Sequence, residues 1–230
     1  MVRDVQIAVP VWGRNTGEVL DKMRRSAALA QLLEVRLDRT EEFDLLEIVT
    51  NAPKPIIVTY RSKKEGGNGR AHYATRIRLL KEAVERGANF IDVEFSIPLI
   101  YREPLFINRK NTRIIVSRHI LNRTPSPEVL TNLLGKMAAT GADIVKIVTR
   151  AREIEDNRTI LDLFPLARRL GIPLIAFCLG SQGRISRILS PLLGGFLTFA
   201  SLEEGEESAE GQLPVREVWE ILNRLTGHEN

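Results

Sequence analysis

A lysine inside an apolar strand is the residue of this chain whose setting points most directly to covalent chemistry. Lys146 lies in Ile144-Val145-Lys146-Ile147-Val148, a run that reads as buried. Burial strips water from an ammonium and favours the neutral amine, a nucleophile that forms Schiff bases with ketones and aldehydes. The strand alone also allows Lys146 to end the run and snorkel to solvent. His119 ends another strand, whereas His72 starts a helix and His228 lies in the tail. A strand-end histidine near a nucleophilic lysine suits general acid/base work. Glu34 and Arg36 are two apart and share a strand face, as a site for hydroxyls or as a structural ion pair. Arg61 ends a third strand and runs into Ser62-Lys63-Lys64-Glu65-Gly66-Gly67, either a lid piece or a solvated turn. Arg187 follows Gly180-Ser181-Gln182-Gly183 at a helix start, placed to clamp a carboxylate. Ser208 and Gln212 stand in a long polar stretch, Leu202 to Leu213, and would meet a ligand if that loop closes.

The elements that must position these residues alternate along the chain. Apolar runs predict strands at 5–11, 33–38, 56–61, 90–95, 113–119, 144–149, 173–179 and 196–201. Periodicity near 3.6 predicts helices at 17–29, 72–86, 127–140, 159–170, 185–193 and 215–225. Ser126-Pro127 marks one helix start, and Gly87, Gly141 and Gly171 mark three ends. Gly87-Ala88-Asn89-Phe90-Ile91-Asp92 and Gly141-Ala142-Asp143-Ile144-Val145-Lys146 repeat one turn, which phases Asp92 with Lys146. Eight strands alternating with helices predict a single-domain α/β fold spanning 1–230, a (β/α)8 TIM barrel, with a doubly wound open sheet as the alternative. In a barrel the strand ends named above share one face.

Composition sets bounds. The chain has 230 residues, 43% hydrophobic and 27% charged, with net charge +4. No apolar run reaches membrane-span length, so no membrane role is expected. The start, Met1-Val2-Arg3-Asp4-Val5, leads into a strand without a signal-peptide pattern. The single Cys178 excludes an internal disulfide and a multi-cysteine metal site, and fits a reducing cytoplasm. It alternates with Phe177 and Leu179 and is expected to face the helices as an inert thiol. Basic residues form no long block and aromatics are 6%, which argues against nucleic acid as partner.

The ordered set resembles the type I 3-dehydroquinate dehydratases. The carrying segments are Glu34-Val35-Arg36-Leu37-Asp38, Thr59-Tyr60-Arg61 with Lys64-Glu65-Gly66-Gly67, Ser117-Arg118-His119, Gly141 to Lys146, Gly183-Arg184-Ile185-Ser186-Arg187 and Ser208-Ala209-Glu210-Gly211-Gln212. The resemblance implies loss of water from 3-dehydroquinate to give 3-dehydroshikimate, without a metal or organic cofactor. It implies Lys146 as the Schiff-base lysine, His119 as acid/base and Glu65 as its orienting partner. It further implies Arg187, Ser208 and Gln212 around the substrate carboxylate, Glu34, Arg36 and Arg61 on ring hydroxyls, and a homodimer. Three departures stand out. Glu210 occupies a position where proline is usual, Pro10 stands near where relatives offer a hydroxyl, and the N-terminus is too short for a hairpin plug. A type I aldolase would share Lys146 but need a phosphate-binding turn, for which Gly180–Gly183 is the place. A basic RNA-binding barrel is the non-enzyme alternative.

Overall fold

The computed structural model describes residues 5–227, so Met1 to Asp4 and His228 lie outside it. Eight strands form one parallel sheet: β1 (Ile7–Val11), β2 (Leu32–Arg36), β3 (Ile56–Thr59), β4 (Phe90–Glu94), β5 (Arg113–His119), β6 (Ile144–Arg150), β7 (Leu174–Leu179) and β8 (Thr198–Phe199). Their spatial order is β7-β6-β5-β4-β3-β2-β1-β8, and Phe196 N donates to Leu174 O at 2.8 Å, drawing the two ends together. The result is the expected TIM barrel. Nine α-helices surround it: α1 (Thr16–Ser26), α2 (Leu45–Thr50), α3 (Tyr73–Glu85), α4 (Leu99–Ile107), α5 (Pro127–Ala138), α6 (Asp156–Leu161), α7 (Leu163–Arg169), α8 (Arg184–Leu192) and α9 (Val215–Thr226) among the described residues. None is long and apolar enough to cross a membrane.

Two apolar layers result from strand alternation. Outward residues such as Val9, Val35, Val58 and Val145 pack on the helices. Inward residues Ile57, Ile115, Ile144 and Ile175 fill the barrel. On β3, β4 and β5 the inward series turns polar toward the C-terminal end: Ile57 to Thr59, Phe90 to Asp92 and Glu94, Ile115 to Ser117 and His119. This gradient separates a sealed floor from a reactive mouth. At the floor the Arg113 guanidinium lies 5.3 and 5.0 Å from the Phe90 and Phe196 rings.

Several boundaries differ from the sequence reading, each for a local reason. Strand β8 is two residues long because the next rung needs an N–H from residue 10, and that residue is Pro10. The predicted helix 159–170 is two helices, since Pro165 has no N–H to return to Leu161. Helix α2 is too short to show periodicity, and α4 hides its own with exposed Leu99, Ile100 and Ile107. Asp38 leaves its strand for a 3-10 turn, Leu37–Arg39. Ser126 precedes α5, yet its side chain makes no capping bond. The repeated αβ turn is real, with Gly87 and Gly141 at φ of 90° and 81°.

Candidate active site

The C-terminal mouth holds a cleft lined by all nine residues singled out above. Lys146 is 4% exposed on β6, so the snorkelling reading fails. It is also not an unaccompanied buried amine. Its Nζ lies 3.2 Å from Asp92 Oδ2 and 3.7 Å from Glu34 Oε1, so two carboxylates share its buried setting. Asp92 faces Lys146 as the repeated turn suggested.

Asp92 links Lys146 to Arg61. Arg61 Nη2 stands 2.7 Å from Asp92 Oδ2, and Arg61 Nη1 donates to Ser117 Oγ at 2.9 Å. Ser117 in turn donates to Asp92. Burial alone would raise the Asp92 carboxyl, but Arg61, then Lys146 and His119, hold it well below the usual range. Arg61 also lies 3.3 Å from Glu94, which Ser62 and Arg76 engage on its other side. Arg36 is held two-pronged by Asp38 at 2.9 and 2.8 Å, and Glu34 accepts from Thr59 at 2.9 Å. Neither forms the direct Glu34–Arg36 pair that the spacing allowed.

His119 ends β5 with Nδ1 3.3 Å from Glu65 Oε2, the same oxygen that accepts from the His119 backbone N–H at 3.0 Å. Ser96 and Arg118 fix the other Glu65 oxygen at 2.7 and 3.1 Å. Burial, then Arg61 and Lys146, push His119 well below its ordinary 6.5 despite Asp92 nearby. At neutral pH its imidazole is an uncharged base. Glu65 belongs to a 3-10 turn, Lys63–Glu65, and is 3% exposed, so the loop is not a solvated turn at this residue.

Arg187 occupies a different environment. It is 3% exposed, and its Nε and Nη1 have no hydrogen-bond partner among the described residues. Burial without a carboxylate partner pushes its guanidinium down to about 9. Its Nη2 donates to Glu210 O at 3.2 Å, and Cζ lies 4.4 Å from the Phe177 ring. Phe177 meets Phe199 at 6.1 Å, and Phe199 lies 4.2 Å from Lys146 Nζ. An aromatic wall thus spans the two cations. Sequence reasoning passed over both rings, together with Glu94 and Ser117, although all share the inward phase of the residues it chose.

The 202–213 loop lies over the cleft. Gln212 Oε1 accepts from Ser208 N at 2.7 Å and Ala209 N at 3.3 Å, so this oxygen shapes the loop. Arg39 donates to Ser208 O at 2.8 Å, and Lys22 pairs with Glu206 at 3.0 Å. Glu210, where proline was expected, reaches Arg150 at 2.6 Å. A Cβ on Gly211 would stand 2.4 Å from Gly180 O, so only glycine permits this approach. Cys178 is buried toward the helices, and burial raises its thiol, which fits an inert role.

A sequence profile described as Type I 3-dehydroquinase matches residues 7–229. The chain belongs to the type I 3-dehydroquinase family. It is 35% identical over 219 residues to a 3-dehydroquinate dehydratase of Pyrococcus abyssi, covering 95% of this chain and 98% of that one. A chloroplastic bifunctional 3-dehydroquinate dehydratase/shikimate dehydrogenase of Arabidopsis thaliana is 34% identical over 94% of this chain, which spans 36% of that longer protein. The crystal structure of a type I 3-dehydroquinate dehydratase from Clostridium difficile, carrying covalently modified comenic acid, superposes with a TM-score of 0.85 at 25% identity. That match covers 98% of this chain and 94% of the other.

Proposed function

We propose that this family member removes water from 3-dehydroquinate to give 3-dehydroshikimate through a Schiff base on Lys146. The observation that carries the reading is the shared cleft of Lys146, His119 and Arg187, which offers an amine, an uncharged base and a carboxylate-free guanidinium. The substrate carboxylate would pair with Arg187, and Ser208 and Gln212 would close over it. Glu34, Arg36 and Arg61 would take ring hydroxyls. With a proton lost, Lys146 attacks the ring ketone and water leaves to form the imine. Protonated, the imine draws electrons from the neighbouring carbon, and His119 removes a proton there. His119 then returns a proton to the departing hydroxyl, with Glu65 holding the ring. Water then hydrolyses the product imine, which releases 3-dehydroshikimate and frees the Lys146 amine; the protonated imine is the electron sink, so the scheme calls for no metal or organic cofactor.

The aldolase reading finds no support. Gly180 N is already donated to Glu210 O, and Gly183 N to Gly180 O, so this turn does not present these amides to a phosphate. Nothing favours an RNA-binding role. A homodimer and a cytoplasmic location belong to the proposal. The first draws on the family resemblance and the exposed Ile185 and Leu225 on α8 and α9, the second on the single free thiol.

The test is to incubate the protein with 3-dehydroquinate and borohydride, then map the adduct by mass spectrometry. A reduced adduct on Lys146 is expected. Lys146→Ala should give no adduct and lose turnover by orders of magnitude while folded. An unlabelled, fully active wild type would exclude the Schiff base.

A further inference from the structure

Ser201 has a buried hydroxyl with no hydrogen-bond partner among the described residues and no surface exposure. Leaving a buried hydroxyl unpaired costs about 1–3 kcal/mol, so it calls for an explanation. Its backbone is pinned, with Ser201 N donating to Leu213 O at 3.0 Å and Val215 N donating to Ser201 O at 2.8 Å. Outward positions around it are accounted for: Thr198 donates its hydroxyl to Arg187 O, while Ala200 and Leu202 join the layer under the helices. Phe199 points inward to Lys146. Two residues further on, Ser201 has the same inward phase, one step nearer the mouth.

Its neighbours in the barrel wall define what it faces. Ala8 pairs with Phe199 in the last rung of the β1–β8 ladder, Pro10 is paired with Glu34 two residues further along β1, and Ser201, beyond the ladder, bridges Pro214. Pro10 carries neither a hydroxyl nor an N–H, and Ser201 carries a hydroxyl just beyond the end of this ladder. Phe199 below, Glu34 across β1 and Gln212 in the loop above all line the cleft. We infer that Ser201 is a substrate-positioning residue, its Oγ bonding to a polar oxygen of the bound hydroxy acid between the Arg187 clamp and the Glu34 site.

This inference rests on the reaction proposed above, and the experiment separates the two. Wild type is first assayed with 3-dehydroquinate, then Ser201→Ala and Ser201→Thr are compared with it in kcat, KM and Tm. One lost hydrogen bond to substrate predicts a KM raised about fivefold or more in the alanine variant. The kcat should change less than the KM. The Tm should hold or rise, because an unpaired hydroxyl has been removed from the interior. Threonine keeps the hydroxyl and should recover part of the KM. An alanine variant with unchanged KM overturns the inference, as does a lowered Tm with a KM that threonine fails to recover. An inactive, folded wild type would instead refute the reaction and take the inference with it.

Discussion

Asp92→Asn is the perturbation that separates the buried charge network from its individual members. The carboxylate meets Arg61 at 2.7 Å and Lys146 at 3.2 Å and accepts from Ser117, with a fully buried side chain. Removing one partner of a buried ion pair costs about 3–5 kcal/mol. Arg61 would keep Glu94 and Glu65, and Lys146 would keep Glu34, so no cation is stranded and the lower end, about 3 kcal/mol, applies. At roughly 2–4 °C per kcal/mol for a chain of this size, Tm should fall by about 6–12 °C at pH 7. The pH dependence has a definite sign. The folded carboxyl is held below its ordinary 3.8, so its stabilisation is complete above that value and is lost as pH falls through the lower folded one. The Tm gap between wild type and variant should therefore be full at pH 7 and shrink only below about pH 4. Calorimetry across that range reads it directly. Catalytically, a displaced Lys146 should lower kcat by up to about 100-fold with a smaller change in KM. Equal Tm values at pH 7, or a gap indifferent to acid, would refute the network as described. An unchanged kcat would make Asp92 purely structural.

Two further outcomes follow from the same geometry. His119→Gln should slow dehydration by about 100-fold or more yet still allow a borohydride-trapped adduct. Because the folded histidine is depressed, the acid limb of wild-type kcat/KM should lie below pH 6.5, and a limb above that value would contradict its environment. Arg150→Ala removes the Glu210 contact of the closing loop while sparing the Gly180 and Arg187 bonds to Glu210 O. It should raise KM a fewfold with little loss of Tm, since an exposed ion pair contributes about 0–1 kcal/mol. A kinetic profile identical to wild type would show that Glu210 does not hold the loop.

Much of this arrangement was legible because inward residues on a strand recur every second position. Lys146, His119, Glu34, Arg36, Arg61 and Arg187 stood out as polar residues at or just beyond strand ends, and Asp92 emerged from the repeated turn. Glu94 and Ser117 carry the same period, two after Asp92 and two before His119, but neither is an evident nucleophile or base. Their importance arises from contacts across three strands, with Arg61 reaching Ser117 and Asp92 together. Phe177 and Phe199 read as ordinary core, since their role depends on β7 meeting β8 around the barrel. The ionic setting of Lys146 was less legible for a related reason. Burial is visible in an apolar run, whereas counter-ions from β2 and β4 are fixed only by closure.

The distribution of charge also fixes which way a substrate must lie. Around Lys146 and Arg61 the cleft is rich in carboxylates, with Glu34, Asp92, Glu94 and Glu65 within ion-pair distance of one or the other. A substrate carboxylate placed there would meet like charges in a low-dielectric setting and be repelled. Arg187, whose Nε and Nη1 have no hydrogen-bond partner and which pairs with no carboxylate among the described residues, is the opposite case. An anion seated at Arg187 gains charge-assisted hydrogen bonds and supplies the counter-ion whose absence destabilises the guanidinium. The Phe177–Phe199 wall lies between Arg187 and Lys146, and under the proposed reaction the uncharged ketone would meet Lys146. Orientation thus follows from where the protein has already neutralised its own cations and where it has not.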